Sequence, residues 1–204
     1  MKKIFSFIIL LIGSVLVISC GKKEVGTADN GFEVLFNKVC SADEAYEEAK
    51  NNGVVLMDTQ GSVSGRETLE QFVEKTENKE KASMLLADYY EIDKSNMSEE
   101  LYESEKDNYP SLYFTLVEYD GDNYKVKTRL SSSSDIESVE TFKYLRHFTG
   151  EGPETAIFDT YEYYVLTDDP NVTWDEITRG WYSSQSDAGY RCRILFHQYY
   201  GWKE

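Results

Sequence analysis

From residue 41 onward the apolar positions recur with two periods, and each period identifies an element. Ser41 followed by Glu44 has the spacing of a capping box, in which a hydroxyl and a carboxylate each satisfy a backbone N–H left free by the first helical turn. Ala42, Ala45, Tyr46 and Ala49 then follow at helical spacing and Asn51-Asn52-Gly53 can stop the helix, so a short helix is predicted over 42 to 51. Val54-Val55-Leu56-Met57 reads as a buried strand. The capping spacing returns at Ser64 and Glu67, before Leu69, Phe72, Val73 and Thr76 on one face. With Lys75 and Lys79 near the negative end of the dipole, this predicts the clearest helix of the chain, over 65 to 78. Ala82 to Ile92 reads as a strand, and Ser98 to Lys106 as a charged excursion compatible with a helix before Tyr109-Pro110.

Strict alternation begins at Leu112, Phe114 and Leu116, turns at Asp120-Gly121-Asp122-Asn123, and returns with Tyr124, Val126, Thr128 and Leu130. Lys125, Lys127 and Arg129 fill the other phase of the return strand, which is therefore expected to face solvent. After a polar break at Ser131 to Asp135, strands are predicted over Val139 to Phe148 and Ala156 to Leu166, separated by Gly150-Glu151-Gly152-Pro153. A third capping box, Thr173 with Glu176, opens a helix through Trp174, Ile177 and Trp181, and a last strand covers Tyr190 to Tyr199. Hairpins segregated from a few short helices predict an α+β fold, mainly an antiparallel sheet with the helices packed on one face. The βα order of residues 42 to 92 leaves a thioredoxin-like or mixed sheet open, although no Cys-x-x-Cys is present.

The first twenty residues follow another logic. Lys2 and Lys3 precede fifteen residues, Ile4 to Ile18, whose only polar groups are Ser6 and Ser14. As a helix this stretch spans roughly 22 Å, short of the ~30 Å hydrocarbon core, which fits an export signal better than a permanent anchor. It ends in Val17-Ile18-Ser19-Cys20-Gly21, which resembles the lipobox of bacterial lipoproteins. That resemblance implies cleavage after residue 19 and a diacylglycerol on the Cys20 thiol, the one covalent group expected; no other cofactor is implied. An ordinary secretory signal is the alternative. Residues 20 to 31 hold Gly21, Gly26 and Gly31 among polar residues and read as a lipidated flexible tether, with one globular α+β domain over 32 to 204.

Composition sharpens the picture of the mature chain. Removing residues 1 to 19 takes away Lys2 and Lys3 and no acid, leaving 19 basic and 37 acidic side chains and a formal charge of −18. Such a surface repels nucleic acid and anionic headgroups, so the acyl chains, not the protein surface, would hold it to the extracytoplasmic face of the cell membrane. Sixteen Tyr and only three Pro argue for a folded domain despite the charge. Besides Cys20 the chain holds Cys40 and Cys192, and their 152-residue separation leaves open whether they pair or stay apart as buried thiols.

Few constellations suggest chemistry. His147 and His197 are the only histidines, and neither adjoins a nucleophile motif. Cys192 and His197, five apart, are expected on opposite faces of a strand, which weighs against zinc. Asp120-Gly121-Asp122-Asn123 begins like a calcium loop but has Lys125 where glycine is needed and Ser131 where glutamate is needed, so a turn is expected. Asp168, Asp169 and Asn171 fit turn chemistry. Gly61 to Gly65 lacks the lysine of a phosphate loop, and no pair among the 37 acids stands out as a hydrolase dyad.

The unusual content is aromatic: Tyr161, Tyr163, Tyr164, Trp174, Trp181, Tyr182, Tyr199, Tyr200 and Trp202. Rings at a surface suit sugar or peptide recognition, while rings in strands also simply build a core. Trp174 shares a helical face with Ile177 and is expected inside; Trp181 and Trp202 are the expected ligand-binding rings.

With Gly53-Val54-Val55, the stretch from Gly65 to Phe72, Tyr109-Pro110, Tyr144-Leu145, Gly150-Glu151-Gly152-Pro153, and Tyr164-Val165-Leu166-Thr167-Asp168-Asp169 before Val172-Thr173-Trp174, residues 50 to 190 resemble a family of uncharacterised lipoproteins from low-GC Gram-positive bacteria. The resemblance implies an exported α+β domain on a membrane tether and assigns no functional residue; Cys40 and Cys192 are not among the shared positions. Two function classes follow: a non-catalytic binding module for an envelope glycan or protein, and, as the alternative, an envelope hydrolase acting on a wall glycan or peptide.

Overall fold

The computed structural model describes residues 28–59, 61–182 and 190–203, with only the backbone described at 28–30, 62–63 and 181–182. The signal stretch, Cys20 and the tether up to residue 27 lie outside the described residues. The chain is α+β with mostly antiparallel strands.

Helices α1 (Ala28–Asn37) and α2 (Ala42–Asn51) come first, then strands β1 (Val55–Asp58) and β2 (Gly61–Ser64), helix α3 (Arg66–Glu77) and strand β3 (Ala82–Tyr90). A short helix α4 (Glu99–Glu105) leads to the hairpin β4 (Ser111–Tyr119) and β5 (Tyr124–Leu130), and β6 (Ser138–Phe142) ends the large sheet. Its order is β2-β1-β3-β4-β5-β6, and β1 with β3 is its one parallel pair. The mixed-sheet option is thus realised at the β1–β3 pair, whose connection runs through β2 and helix α3 and returns the chain in the same direction. Val55, Leu56 and Met57 on β1, and Met84 to Ala87 on β3, are buried on both faces, which is why they read as unbroken apolar runs.

A second sheet, β7-β8-β9, is formed by β7 (Tyr144–Glu151), β8 (Thr160–Thr167) and β9 (Cys192–Tyr200), with helix α5 (Trp174–Tyr182) between the last two. Three cores separate the layers. On one face of the large sheet, Leu56, Leu85, Phe114 and Leu116 pack with Phe32, Leu35 and Phe36 of α1 and with Ala45 and Ala49 of α2. On the other, Met84, Val117, Val126 and Phe142 meet Leu69 and Phe72 of α3 together with Tyr164, Leu166 and Phe196 of the small sheet. The outer face of the small sheet packs Tyr163 and Val165 against Val172 and Ile177, the latter on α5. Helical cover is therefore divided between the faces rather than gathered on one, because the small sheet fills only part of the inner face and leaves room for α3.

Local differences from expectation have physical causes. Ala28 to Gly31, read as tether, form the first turn of α1, whose Phe32, Leu35 and Phe36 sit at helical spacing and are buried. The single strand expected over Val139 to Phe148 is two: Lys143 is the corner at which the chain leaves one sheet for the other, its N–H donating to Thr167. Ser64 and Glu67 do not form their box, for Gly65 in the left-handed region (φ 85°) precedes the helix instead. A Cβ there would lie 2.2 Å from the Val54 carbonyl oxygen, so the close passage of β1 requires glycine. The box at Thr173 is complete: its N–H and hydroxyl donate to Glu176 Oε2 at 2.9 and 2.7 Å, and the Glu176 N–H returns a bond to its Oγ1 at 3.3 Å.

The largest departure is Arg129. Instead of facing solvent it is 1% exposed, on the face of β5 covered by α1. Its guanidinium donates to the carbonyls of Phe36, Lys38, Leu130, Ser131 and Ser133 and lies over the Phe36 and Phe114 rings at 5.4 and 5.6 Å. A basic residue at an outward phase becomes interior here because the C-terminal end of α1 offers carbonyls that need donors.

Candidate functional site

The outer face of the small sheet carries the aromatic cluster. Strand alternation places Tyr161, Tyr163 and Val165 of β8 on this face, opposite Tyr199, His197 and Ile194 of β9. A bulge between Ile194 and Phe196 shifts the register, so Cys192 and His197 share this face although they are five apart. That corrects the expectation of opposite faces; among the described residues no group of three metal-ligating side chains results.

Two glycines make space for the rings. Gly150 pairs with Tyr161, and a Cβ on it would lie 2.5 Å from the Tyr161 hydroxyl. Gly152 lets residues 153–158 fold back, since a Cβ there would meet the Phe158 ring at 2.8 Å. The returning loop is tied to the chain's end by Gly152 N–H to Asp159 O (2.7 Å), Asp159 N–H to Tyr200 O (2.9 Å) and Lys203 N–H to Ile157 O (2.9 Å). Above the sheet, the capped first turn of α5 sets Trp174 against Tyr163 (ring centroids 4.1 Å apart), Tyr161 (5.5 Å) and Phe148 (5.5 Å). Phe158 packs on Tyr199 at 4.4 Å, and the Tyr163 and Tyr199 hydroxyls share a 2.5 Å hydrogen bond.

These rings surround an open cleft of about 580 Å³, edged by Glu151, Asp175 and Thr178. Both carboxylates are exposed, and among the described residues no lysine or arginine lines the cleft. Burial, and then Asp175, push the Tyr161 phenol above its ordinary range, while burial pushes His197 below its own. The arrangement can do what flat rings beside carboxylates do: stack on an apolar or cationic surface and hold its polar groups at the rim.

Of the two rings expected to bind, Trp202 is 55% exposed and stands at the edge of this cluster, 6.4 Å from Phe158 and 5.9 Å from Tyr199. The Trp181 side chain lies outside what is described. Trp174, expected as core, is half-buried and lines the cleft as well. Phe158, Glu151 and Asp175 were not anticipated; the paired glycines at 150 and 152 were the available signal for the loop that brings Phe158 in.

A second cluster lies on the opposite face of the small sheet. The buried Glu162 accepts from Arg66 at the start of α3 (2.6 and 3.0 Å), from the Tyr200 hydroxyl (2.7 Å) and shares a 2.8 Å bond with His147 Nε2. Burial drives the Glu162 carboxyl up, but bonds from Arg66, Tyr200 and His147 outweigh it and hold it at about 2. His147 also stacks on Tyr164 at 4.2 Å. Here a histidine meets a carboxylate rather than a serine, and both oxygens of that carboxylate are engaged in joining α3 to the small sheet. Asp88, on the inner face of β3, is pushed up to about 6 by burial, against the lowering effect of Arg193.

Other candidates resolve into structure. Asp120 Oδ1 accepts from the N–H groups of Asp122 and Asn123 at 2.9 and 2.8 Å, as a hairpin turn requires. Asp168 pairs with Arg191 and Asp169 accepts from Asn171 N–H. Gly61 to Ser64 are strand β2, where Gly61 faces the Gln198 side chain of the small sheet. Cys40 packs with α1 and α2, whereas Cys192 belongs to the outer core of the small sheet, so the two do not meet. Among the described residues no helix is long and apolar enough to cross a membrane. Compared with family models, characterised proteins and solved structures, the chain shows no match.

Proposed function

We propose that this protein is a lipid-anchored lipoprotein of the bacterial cell envelope whose domain is a non-catalytic binding module, with the outer aromatic cleft as its contact face. The observation that carries the binding reading is the convergence of Phe158, Tyr161, Tyr163, Trp174 and Tyr199 on one open cleft. Rigid rings offer apolar area with little rotamer entropy to lose, which favours recognition of an envelope glycan or protein segment. The anchor is supported by Val17 to Gly21 and by the resemblance to uncharacterised Gram-positive lipoproteins. Binding is favoured over hydrolysis by the way the most perturbed cluster, around Glu162, is engaged in holding α3 to the small sheet.

Two variants test the two halves. Cys20→Ala in the expressed full chain should release the protein from the membrane fraction and remove the acyl mass; unchanged partitioning overturns the anchor. Phe158→Ala combined with Trp202→Ala should abolish retention of the protein on insoluble envelope material while the domain still unfolds cooperatively, its midpoint lowered only by the truncation of the half-buried Phe158, since Trp202 is exposed. Full retention by a folded double variant overturns the contact face.

A further inference from the structure

We infer that the outer cleft takes a small organic cation, an alkylammonium group seated among the rings with Glu151 and Asp175 as its counter-charges. This rests on the cleft being the binding face, and it adds the chemical class of the occupant. Among the described residues the lining combines five aromatic rings with two carboxylates and no basic side chain. Ring quadrupoles attract a cation within about 6 Å, and more strongly where water is excluded. A neutral sugar would draw chiefly on hydroxyl and amide partners. The Tyr163 and Tyr199 hydroxyls at the floor are instead bonded to each other at 2.5 Å.

The surroundings are consistent with a positive occupant. Lys203, at the flank, is engaged by Asp159 (3.5 Å) and the Ala156 carbonyl (3.3 Å), and Arg146 is held over the Phe148 ring at 5.7 Å. Burial keeps the His197 imidazole, 5.9 Å from the Tyr163 ring, on its neutral side. The volume of 580 Å³ lies within the roughly 300–1,000 Å³ typical of small-molecule sites. The acidic chain as a whole steers cations toward its surface.

The test uses a charge-isostere pair on the full chain, held in a polyoxyethylene detergent that offers neither sugar nor ammonium. Choline chloride and its uncharged isostere 3,3-dimethyl-1-butanol are titrated by calorimetry, with methyl β-glucopyranoside as a third probe. Choline should bind about tenfold more tightly than the isostere, the range that cation–π contact and a counter-charge supply. Asp175→Asn with Glu151→Gln should weaken choline about tenfold at an unchanged melting temperature, since both side chains are exposed. Equal affinity for choline and the isostere, or indifference to the double substitution, overturns the inference. Retention on envelope material that choline does not compete, or that only the glucoside competes, overturns the cation while the binding module stands. Loss of both retention and choline binding overturns the module with it.

Discussion

Replacing Arg129 by Leu should detach α1 from the large sheet. Leucine keeps aliphatic contact with Phe36 and Phe114 but removes the guanidinium from the carbonyls of Phe36, Lys38, Leu130, Ser131 and Ser133, of which Leu130 and Ser131 still accept from the Ser133 and Cys40 N–H groups. Hydrogen bonds to a charged group are worth about 1.5–3 kcal/mol each, yet the guanidinium no longer has to be desolvated, an offset of several kcal/mol. The balance is a loss of about 3–5 kcal/mol, a large share of the roughly 5–15 kcal/mol that holds an average domain. Urea unfolding gives the loss, and amide hydrogen exchange locates it: protection should fall first in α1. Lys127→Leu is the control, two residues earlier on the same face. Lys127 is partly exposed and pairs with Glu118 at 2.7 Å, so its loss should stay within about 1 kcal/mol. If Arg129→Leu also stays within about 1 kcal/mol with α1 protection intact, the buried guanidinium is not what joins helix to sheet.

Three further outcomes follow. Gly65→Ala should cost roughly 2–4 kcal/mol in denaturant unfolding, because both φ and the Val54 carbonyl oppose a Cβ; a loss under about 0.5 kcal/mol would mean that the strand moves aside freely. Phe72→Ala, deep between α3 and the inner core, should cost about 3–5 kcal/mol, and an effect below about 1 kcal/mol would place that face in solvent. Glu162, held at about 2, stabilises the fold fully above the unfolded carboxylate pKa near ~4.3 and loses that contribution as pH falls from there toward 2. Glu162→Gln should therefore lower stability at pH 7 and flatten the acid limb of the pH–stability curve; an unchanged limb would show that the cluster does not couple to folding.

Where periodicity and capping act locally, the fold was legible. The helix opened by Thr173 and the hairpin turning at Asp120 form as their residues specify, since each rests on contacts within a few positions. What was hidden depends on distant partners. No local signal distinguishes Arg129 from Lys125 and Lys127 on one strand, because two of the carbonyls that hold it inside, those of Phe36 and Lys38, lie at the end of α1 some ninety residues earlier. The break at Lys143 leaves no glycine or proline behind, for the strand changes sheets without a tight turn. The candidate site was half legible: its rings stood out by composition, but their assembly depended on the β9 bulge and on the glycines at 150 and 152. Trp174 illustrates this, being at once a core residue and a wall of the cleft.

The outer cleft is proposed as the face that meets a ligand. Its most direct test is NMR on isotopically labelled protein titrated with solubilised envelope material. Shifts should concentrate at Tyr161, Trp174, Asp175 and Tyr199, with the inner cluster of Arg66, His147 and Glu162 unmoved. Shifts centred on His147 and Glu162 with the outer rings silent would contradict it.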